Sequence, residues 1–331
     1  MVNITEGTFQ IGSKKLFTKT WLPDGTPKAK LVFFHGFSDH IDRYYNFFPY
    51  LANRGIAVYG LDQRGWGRSA VSKSEWGLTG PTSQVLSDMA AFLKPQLPSS
   101  PSDPAVFVMG HSMGGGQALM LAGSDDYADL VKRVRGWMCE SPYVGLSPGM
   151  QPSTLLVFAG RLGAKILPHK KMVNGVPPEK LSRDPEVVKS LANDPLLHNT
   201  GTLEGLSGML DRSLALTGGK VRMRGGRVQA LWVGHGDEDL GTSCEATKRW
   251  FESCTGEVAD KLMKVYEGWY HQLHAEPGRE EFYEDVAGWI LERAGGDQAR
   301  RAEPGPVEGE GSHPKATESE TLEAKTVGAK L

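Results

Sequence analysis

The sequence predicts an α/β protein with a mostly parallel central sheet, helices on its flanks and a helical cap inserted into it. Short apolar runs, typical of buried parallel strands, alternate with segments of helical periodicity from residue 30 to residue 141. This alternation stops at Pro142 and resumes after about Gly219, which indicates the insertion. One strand–helix junction carries a Gly-x-Ser-x-Gly pentapeptide at residues 110–114, which predicts a sharp turn between the strand and the helix.

The composition is that of a globular protein without an unusual partner. The chain has 331 residues, and its 37 basic and 39 acidic residues give a net charge of -2, so nothing suggests nucleic acid. The three cysteines are scattered, without disulfide or metal-ligand spacing, which predicts a reducing intracellular compartment and no metal. The sequence has no apolar run near the ~18 residues of a transmembrane helix and no secretory-signal pattern.

The predicted core comprises residues 1–141 and 220–294, the cap (lid) residues 142–219, and a disordered tail residues 295–331. In the core we expect a hairpin over 5–22, strands over 30–34, 56–61, 106–109, 135–141, 229–233 and 262–266, and helices over 43–54, 82–94, 242–253 and 280–293. In the cap we expect helices over 152–167 and 184–193.

The pentapeptide has the context of a nucleophile elbow, because a strand precedes it and a helix follows it. A sharp turn there would hold Ser112 in a strained conformation with its hydroxyl exposed. Gly110 and Gly114 lack the Cβ atoms that would clash at such a turn. The sequence therefore predicts Ser112 as a catalytic nucleophile that needs neither a metal nor an organic cofactor.

The partners of this nucleophile follow in the order acid, then histidine, which is the order of the α/β-hydrolase fold. The acid is offered by Asp237, Glu238 and Asp239 after the next-to-last strand. Asp239 is favoured because it lies three residues past the glycine that ends the strand, and Asp237 is the alternative. His271 and His274 compete as the base, and His271 is favoured because it comes first after the last strand.

A second oxyanion donor is predicted at the end of the strand over 30–34, where His35 and Gly36 form a turn. By this role the backbone N–H groups of Phe37 and Met113 would stabilise the anion that develops when Ser112 attacks an ester carbonyl. A plain strand-ending turn is the alternative.

In this order, the stretches HGFSDHIDRY, DQRGWGRS, GHSMGGG, CESP, LSRDP…ANDPLLH, HGDED and YEGWYHQLH resemble the monoacylglycerol lipases, over about residues 10 to 293. The resemblance implies cleavage of monoacylglycerol to fatty acid and glycerol, by a triad of Ser112, Asp239 and His271. It also implies that Asp39, Arg43 and His274 lie near the polar end of the pocket that takes the glycerol. Members of that family usually carry Glu where Asp39 stands.

Other functions are open on the same triad. A lysophospholipase, a small-ester esterase or an acyltransferase would use the same nucleophile and fold. Epoxide hydrolases and dehalogenases need an Asp nucleophile, so Ser112 argues against them. A non-catalytic ligand receptor is the remaining alternative, and an intact triad argues against it. The sequence does not fix the oligomeric state or the acyl-chain preference.

The cap sequence predicts transient contact with a membrane or lipid-droplet surface. Its apolar run Leu155–Leu167 is flanked by Arg161, Lys165, Lys170 and Lys171, a pattern suited to a membrane interface. Packing of this helix on its own domain is the alternative. The last three residues, Ala329-Lys330-Leu331, are similar to a peroxisomal import signal, so we expect peroxisomes, with cytoplasm or lipid droplets as the alternative.

Overall fold

The computed structural model of the protein describes residues 1–151 and 153–302, and side chains up to residue 295. The strands are β1 (Asn3–Ile11), β2 (Lys14–Leu22), β3 (Ala29–Phe34), β4 (Ile56–Leu61), β5 (Ala105–His111), β6 (Gly136–Glu140), β7 (Lys171–Val173), β8 (Thr200–Thr202), β9 (Ala230–Gly236) and β10 (Asp260–Tyr266). The α-helices are α1 (Phe47–Asn53), α2 (Thr82–Leu93), α3 (Met113–Ala122), α4 (Ala128–Val131), α5 (Thr154–Ile166), α6 (Pro185–Asn193), α7 (Leu203–Thr217), α8 (Cys244–Cys254) and α9 (Glu280–Ala302).

The central sheet has the strand order β1-β2-β4-β3-β5-β6-β9-β10. β2 pairs antiparallel with β1 and β4, and all pairs from β4 to β10 are parallel. The carboxyl ends of β3, β5, β6, β9 and β10 therefore lie along one edge of the sheet. The loops that follow these strands carry all of the predicted catalytic residues, and this edge is where open α/β sheets place their sites.

Both faces of the sheet are buried, which explains the continuous apolar runs of its strands. Along β5, Val106 and Val108 pack on one side with α2, α3 and α8, whereas Phe107 and Met109 pack on the other side with α1 and α9. This alternation follows from the two-residue period of a strand. The mostly parallel sheet between two helical layers confirms the predicted α/β fold.

The region predicted as the cap contains α5, α6, α7 and a two-stranded antiparallel sheet of β7 and β8, which α6 separates in the chain. Part of it is held closely on the loop after β4. The His198 ring stacks between Trp66 and Trp76, with ring centroids 5.1 and 4.6 Å away. Gly77 has φ +71, and a Cβ there would lie 2.3 Å from the Thr200 carbonyl oxygen. This contact therefore requires a glycine.

The structure differs from the sequence predictions in several places, and it also contains α4 and α7, for which no bounds were predicted. The helix predicted over 43–54 is divided into a 3-10 turn, Ile41–Tyr44, and α1, because Tyr45 adopts φ 44 between them. The antiparallel pair of β7 and β8 was not predicted, since three-residue strands are too short to show a period. The last helix continues to Ala302 instead of ending near Arg293.

The rest of the predicted tail, residues 303–331, lies outside the described residues, and so does the C-terminal tripeptide Ala329-Lys330-Leu331. Import into peroxisomes therefore stays a prediction. Among the helices that the structure describes, none combines the length and the apolar character needed to cross a bilayer.

Candidate active site

The nucleophile elbow is formed by the junction of β5 and α3. Ser112 has φ 53 and ψ -116, a conformation that side-chain-bearing residues rarely adopt, and α3 begins at the next residue. A Cβ on Gly110 would lie 2.2 Å from the Gly114 carbonyl oxygen, and a Cβ on Gly114 would lie 2.2 Å from the Phe34 carbonyl oxygen. Both glycines of the pentapeptide are therefore required by close backbone contact.

The acid that faces a histidine is Asp239. Its Oδ2 accepts a hydrogen bond from His271 Nδ1 at 2.8 Å, and its Oδ1 accepts from the N–H groups of Gly241 and Thr242 at 2.7 and 2.9 Å. The two neighbouring carboxylates do not take this role. Asp237 and Glu238 are exposed, and Asp237 accepts a bond from the Gly268 N–H.

The buried charge of Asp239 is strongly stabilised. Burial by itself raises the pKa of its carboxyl group, but the charge of His271 and hydrogen bonds from His271 and His235 outweigh burial, so the pKa lies well below its usual range. His235 Nε2 is 3.0 Å from Asp239 Oδ2. Burial also lowers the pKa of His271, and the charge and hydrogen bond of Asp239, with smaller contributions from Glu140 and Asp39, raise it above its usual value. Asp239 is therefore ionised and favours a positive charge on His271.

Two cavities meet at the elbow. The larger has a volume of about 220 Å³ and a mostly apolar wall, and the smaller has a volume of about 90 Å³. Phe37, Ser112 and His271 line both cavities. The predicted nucleophile and the predicted base are thus brought together at the junction between an apolar cavity and a more polar one.

The predicted oxyanion donors also lie at this junction. Met113 lines the larger cavity with Phe37 and Ser112. Because Met113 is the first residue of α3, its N–H has no acceptor in a preceding helical turn. A Cβ on Gly36 would lie 3.3 Å from Ser112 Cβ, so the loop after β3 runs directly past the nucleophile.

Of the three residues that the resemblance implied for glycerol, only Asp39 lines the smaller cavity. Arg43 Nη1 is bonded to Asp194 Oδ2 at 3.0 Å, and Arg43 lines neither cavity. His274 is fully buried, with its Nδ1 2.6 Å from Glu140 Oε1, and it also lines neither cavity. Each of these two side chains instead pairs with a carboxylate distant in sequence.

Sequence reasoning missed several residues of this site. Gln272 and Asn199 line the smaller cavity, and the Gln272 Oε1 is buried without a hydrogen-bond partner among the described residues. Thr242 donates from Oγ1 to Asp239 Oδ2 at 2.8 Å. Gln272 could have been predicted as a site residue, because it directly follows the predicted base His271 in the sequence. Asn199 comes from the region predicted as the cap, and no local pattern marks it.

The fold and the elbow define a hydrolase of the α/β-hydrolase superfamily. A model of the family described as serine aminopeptidase, S33, matches residues 25–278, and the chain belongs to this family. Within it the chain is a carboxylic ester hydrolase of the monoacylglycerol lipase-like kind, as its relatives indicate, and this membership supports lipid ester hydrolysis.

The relatives are similar over most of this chain. A putative monoglyceride lipase from Schizosaccharomyces pombe is 32% identical over 306 residues, which cover 91% of this chain and 77% of the relative. A monoacylglycerol lipase from Mycolicibacterium smegmatis is 29% identical over 85% of this chain and 94% of the relative. A soluble variant of monoglyceride lipase from Saccharomyces cerevisiae, solved with a substrate analog, has a TM-score of 0.78 at 20% identity, covering 87% of this chain and 94% of that chain, a likeness that shows the fold.

Proposed function

We propose that this protein hydrolyses monoacylglycerols to a fatty acid and glycerol, with Ser112, His271 and Asp239 as its catalytic triad. The observation that carries the proposal is the position of Ser112 and His271 between an apolar cavity and a more polar one. An ester of a long acyl chain and a small polyol has the same two-sided character. The names of the curated relatives agree with this substrate class.

In the proposed reaction His271 accepts the Ser112 proton while Oγ attacks the ester carbonyl carbon. Asp239 holds the imidazole in the required tautomer through Nδ1 and stabilises its charged form. The N–H groups of Phe37 and Met113 bind the anionic oxygen, a contribution of roughly 3 kcal/mol for each such donor. His271 then protonates the departing glycerol. Water next attacks the acyl-enzyme carbonyl while His271 accepts its proton, and His271 returns that proton to Ser112 Oγ as the fatty acid leaves.

The larger cavity suits the acyl chain. Its wall includes Leu156 and Met172 from the region predicted as the cap, and a set of α7 residues, Leu203, Leu206, Met209 and Leu210. Burial of each methylene there stabilises the bound ester by about 0.8 kcal/mol. Residues 142–219, which we propose to act as the cap, would thus supply much of the acyl-binding surface.

The smaller cavity suits an uncharged alcohol. Asp39, Asn199 and Gln272 give its wall polar atoms, and the described residues that line it include no lysine or arginine. A phosphate group would meet the Asp39 carboxylate without a cation to balance it, which disfavours lysophospholipids. A glycerol hydroxyl can instead bond to uncharged side-chain amides, which Asn199 and Gln272 bring to this wall.

The test is a substrate panel at matched acyl length: monoacylglycerol, the methyl ester, lysophosphatidylcholine and a short p-nitrophenyl ester. We expect kcat/KM for monoacylglycerol to exceed that for the methyl ester by about tenfold or more, because buried polar groups on the wall are left unpaired by the methyl ester. Gln272→Leu should reduce this ratio. Equal rates on all of the long-chain esters would indicate a general esterase instead.

We also propose that α5 contacts the lipid surface from which the substrate comes. Leu155, Phe158 and Ile166 are 76, 68 and 68% exposed, and the exposed Lys165 and Lys170 lie beside them. The opposite side of the helix, which includes Leu156 and Val157, lines the acyl cavity. An apolar face bordered by lysines is suited to a membrane interface, and this helix would lie between the membrane and the cavity.

Glutamate at Leu155 and Phe158 should lower activity on vesicle-borne monoacylglycerol about tenfold, because each removes buried apolar area and adds a charge at the interface. Activity on a soluble p-nitrophenyl ester should stay within about twofold of wild type. The matched control is Val71→Glu, since Val71 is 83% exposed and lies outside residues 142–219. Equal loss on both substrates would contradict the membrane role of α5.

A further inference from the structure

Beneath the proposed triad lies a second carboxylate–imidazole pair to which the reaction gives no role. Glu140 and His274 are both fully buried. Glu140 Oε1 accepts hydrogen bonds from the His274 backbone N–H at 3.1 Å and from its Nδ1 at 2.6 Å. An ionisable pair without solvent contact costs several kcal/mol in desolvation, so its presence requires a physical reason.

Glu140 also holds the nucleophile through its main chain. Its carbonyl oxygen accepts the Ser112 N–H at 2.9 Å, immediately beyond the last paired residues of β5 and β6. The same residue therefore binds the elbow with its backbone and the loop after β10 with its side chain. That loop carries His271 three residues before His274. Glu140 thus links the two segments whose separation sets the Ser112–His271 geometry.

The side chain of Glu140 lies in the same buried group of histidines as the base. His111 lies between the two histidines, with its ring centroid 5.0 Å from that of His271 and 5.2 Å from that of His274. Burial by itself raises the pKa of Glu140. The charges of His274 and His111 and the hydrogen bonds from His274 outweigh burial, so the pKa lies below its usual value and Glu140 is ionised.

We propose that Glu140 is a positioning residue for His271: it fixes the histidine loop to the nucleophile elbow and places a second buried negative charge behind the imidazole. The titratable groups around His271 come from every adjacent strand end: Asp239 and His235 after or within β9, His111 in β5, Asp39 after β3, Glu140 in β6, and His274 in its own loop. Among the carboxylates, Asp239 contacts the base directly and Glu140 acts at longer range. The inference requires a His271 base and is independent of the alcohol that the enzyme releases.

The charge is tested with Glu140→Gln, which keeps an acceptor for His274 and removes the negative charge. The readout is the pH profile of kcat/KM on a soluble p-nitrophenyl ester, which any hydrolase using this triad will cleave. We expect the acid limb to move to lower pH by about one unit, because a protonated His271 loses a stabilising neighbour. An unchanged acid limb would overturn the electrostatic part of the proposal.

The matched control is Glu276→Gln, because Glu276 is equally buried and pairs with Arg183 instead of facing the base. This variant should lower the Tm without moving the acid limb. If the acid limb shifted equally in both variants, the loss of any buried carboxylate would be enough to cause the shift. That result would overturn the electrostatic role of Glu140. The Tm of each variant is recorded at every pH of the profile, because the midpoint of the limb is independent of the folded fraction only where that fraction is constant.

The positioning part is tested with Glu140→Asp, which keeps the charge but shortens the side chain by one methylene. We expect kcat/KM to fall about tenfold with the acid limb in place, since small displacements of a catalytic group are costly. Unchanged kcat/KM in this variant would overturn the positioning role. Failure on monoacylglycerol with normal p-nitrophenyl ester hydrolysis would count against the proposed substrate only.

Discussion

The two carboxylate–imidazole pairs, Asp239–His271 and Glu140–His274, are alike in chemistry and differ in what surrounds them. Each joins a carboxylate from the end of a strand to a histidine in the loop after β10, at 2.8 and 2.6 Å. His271 lines both cavities beside Ser112, whereas His274 lines neither. In the second pair, Glu140 Oε1 accepts from the backbone N–H and Nδ1 of His274, and the buried Tyr283 hydroxyl donates to the His274 carbonyl oxygen.

A hydrogen-bonded carboxylate and histidine do not by themselves make a catalytic pair. A base must also reach a nucleophile and a space where a substrate can bind. Of the two pairs, Asp239–His271 is the one whose histidine lines the cavities beside Ser112, and we therefore propose it as the catalytic pair. Glu140–His274 instead ties the loop to the elbow, and we expect its variants to act through geometry, pH dependence and stability.

The largest expected effect separates the two histidines. His271→Ala should lower kcat/KM by about 10⁴-fold or more, as should Ser112→Ala, because either change removes a triad member. His274→Ala should cost between about ten- and a hundredfold, because it leaves the Glu140 charge without its partner and loosens the loop. The measurement is p-nitrophenyl ester hydrolysis with the Tm recorded for each variant. A larger loss in His274→Ala than in His271→Ala would assign the base to His274.

The next largest expected effect is the difference in kcat/KM between variants of Asp239 and Asp237. Asp239→Asn should lower kcat/KM by about 10³- to 10⁴-fold, since the amide no longer holds the correct imidazole tautomer. Asp237→Asn should stay within about twofold, because Asp237 is exposed and its carboxylate accepts a bond from the Gly268 N–H, which an amide oxygen can also accept. If Asp237→Asn were the more damaging change, the acid of the triad would be Asp237.

The fold could be predicted from the sequence wherever a segment has a local pattern that is typical of its structure. Buried strands such as β3 and β5 are continuous apolar runs, and the Gly-x-Ser-x-Gly stretch marks the elbow by a local steric requirement at Gly110 and Gly114. Asp239 could be favoured because the loop after a strand has few residues in which to turn back. These inferences depend on sequence neighbours only.

The rest of the site depends on contacts between distant segments. Arg43 was assigned to the glycerol end by resemblance, but it pairs with Asp194, 151 positions away. His274 pairs with Glu140, 134 positions away. Glu140 itself had a signal that was not used: a glutamate at the end of an otherwise apolar strand needs a buried partner.

The third prediction concerns the pH at which the first pair operates. Asp239 chiefly raises the pKa of His271 against the effect of burial, so the acid limb of kcat/KM should lie above pH ~6.5, the ordinary histidine value. Below that midpoint His271 is protonated and cannot accept the Ser112 proton, so activity should fall about tenfold per pH unit. A pH profile on a soluble ester measures this, and a midpoint below about pH 6 would contradict the raised pKa.

A smaller effect should follow from loosening Asp239 without removing its charge. Thr242→Val deletes the hydroxyl that donates to Asp239 Oδ2, while the two backbone donors on Oδ1 remain. We expect kcat/KM to fall about tenfold, as for loss of one hydrogen bond to a buried charge. Thr247→Val is the matched control, because Thr247 is also buried and its hydroxyl donates to the Ser243 carbonyl in α8. That control should lose stability alone, and equal kinetic losses would show a general packing effect.

The smallest effect concerns the outer support of the second pair. Tyr283 on α9 is buried, and its hydroxyl donates to the His274 carbonyl oxygen at 2.8 Å. Tyr283→Phe leaves that carbonyl unsatisfied, so the free energy of unfolding should fall by about 1 kcal/mol, while kcat/KM stays within about twofold. Tyr266→Phe is the matched control, since it also removes one tyrosine hydroxyl, which donates to Asp285 Oδ2 at 2.6 Å, and Tyr266 lines neither cavity. Denaturant unfolding and ester hydrolysis would be measured on both variants. If Tyr283→Phe alone reduced kcat/KM tenfold or more, the second pair would be coupled to the reaction as strongly as the Thr242 hydroxyl, and the distinction between a catalytic pair and a supporting pair would fail.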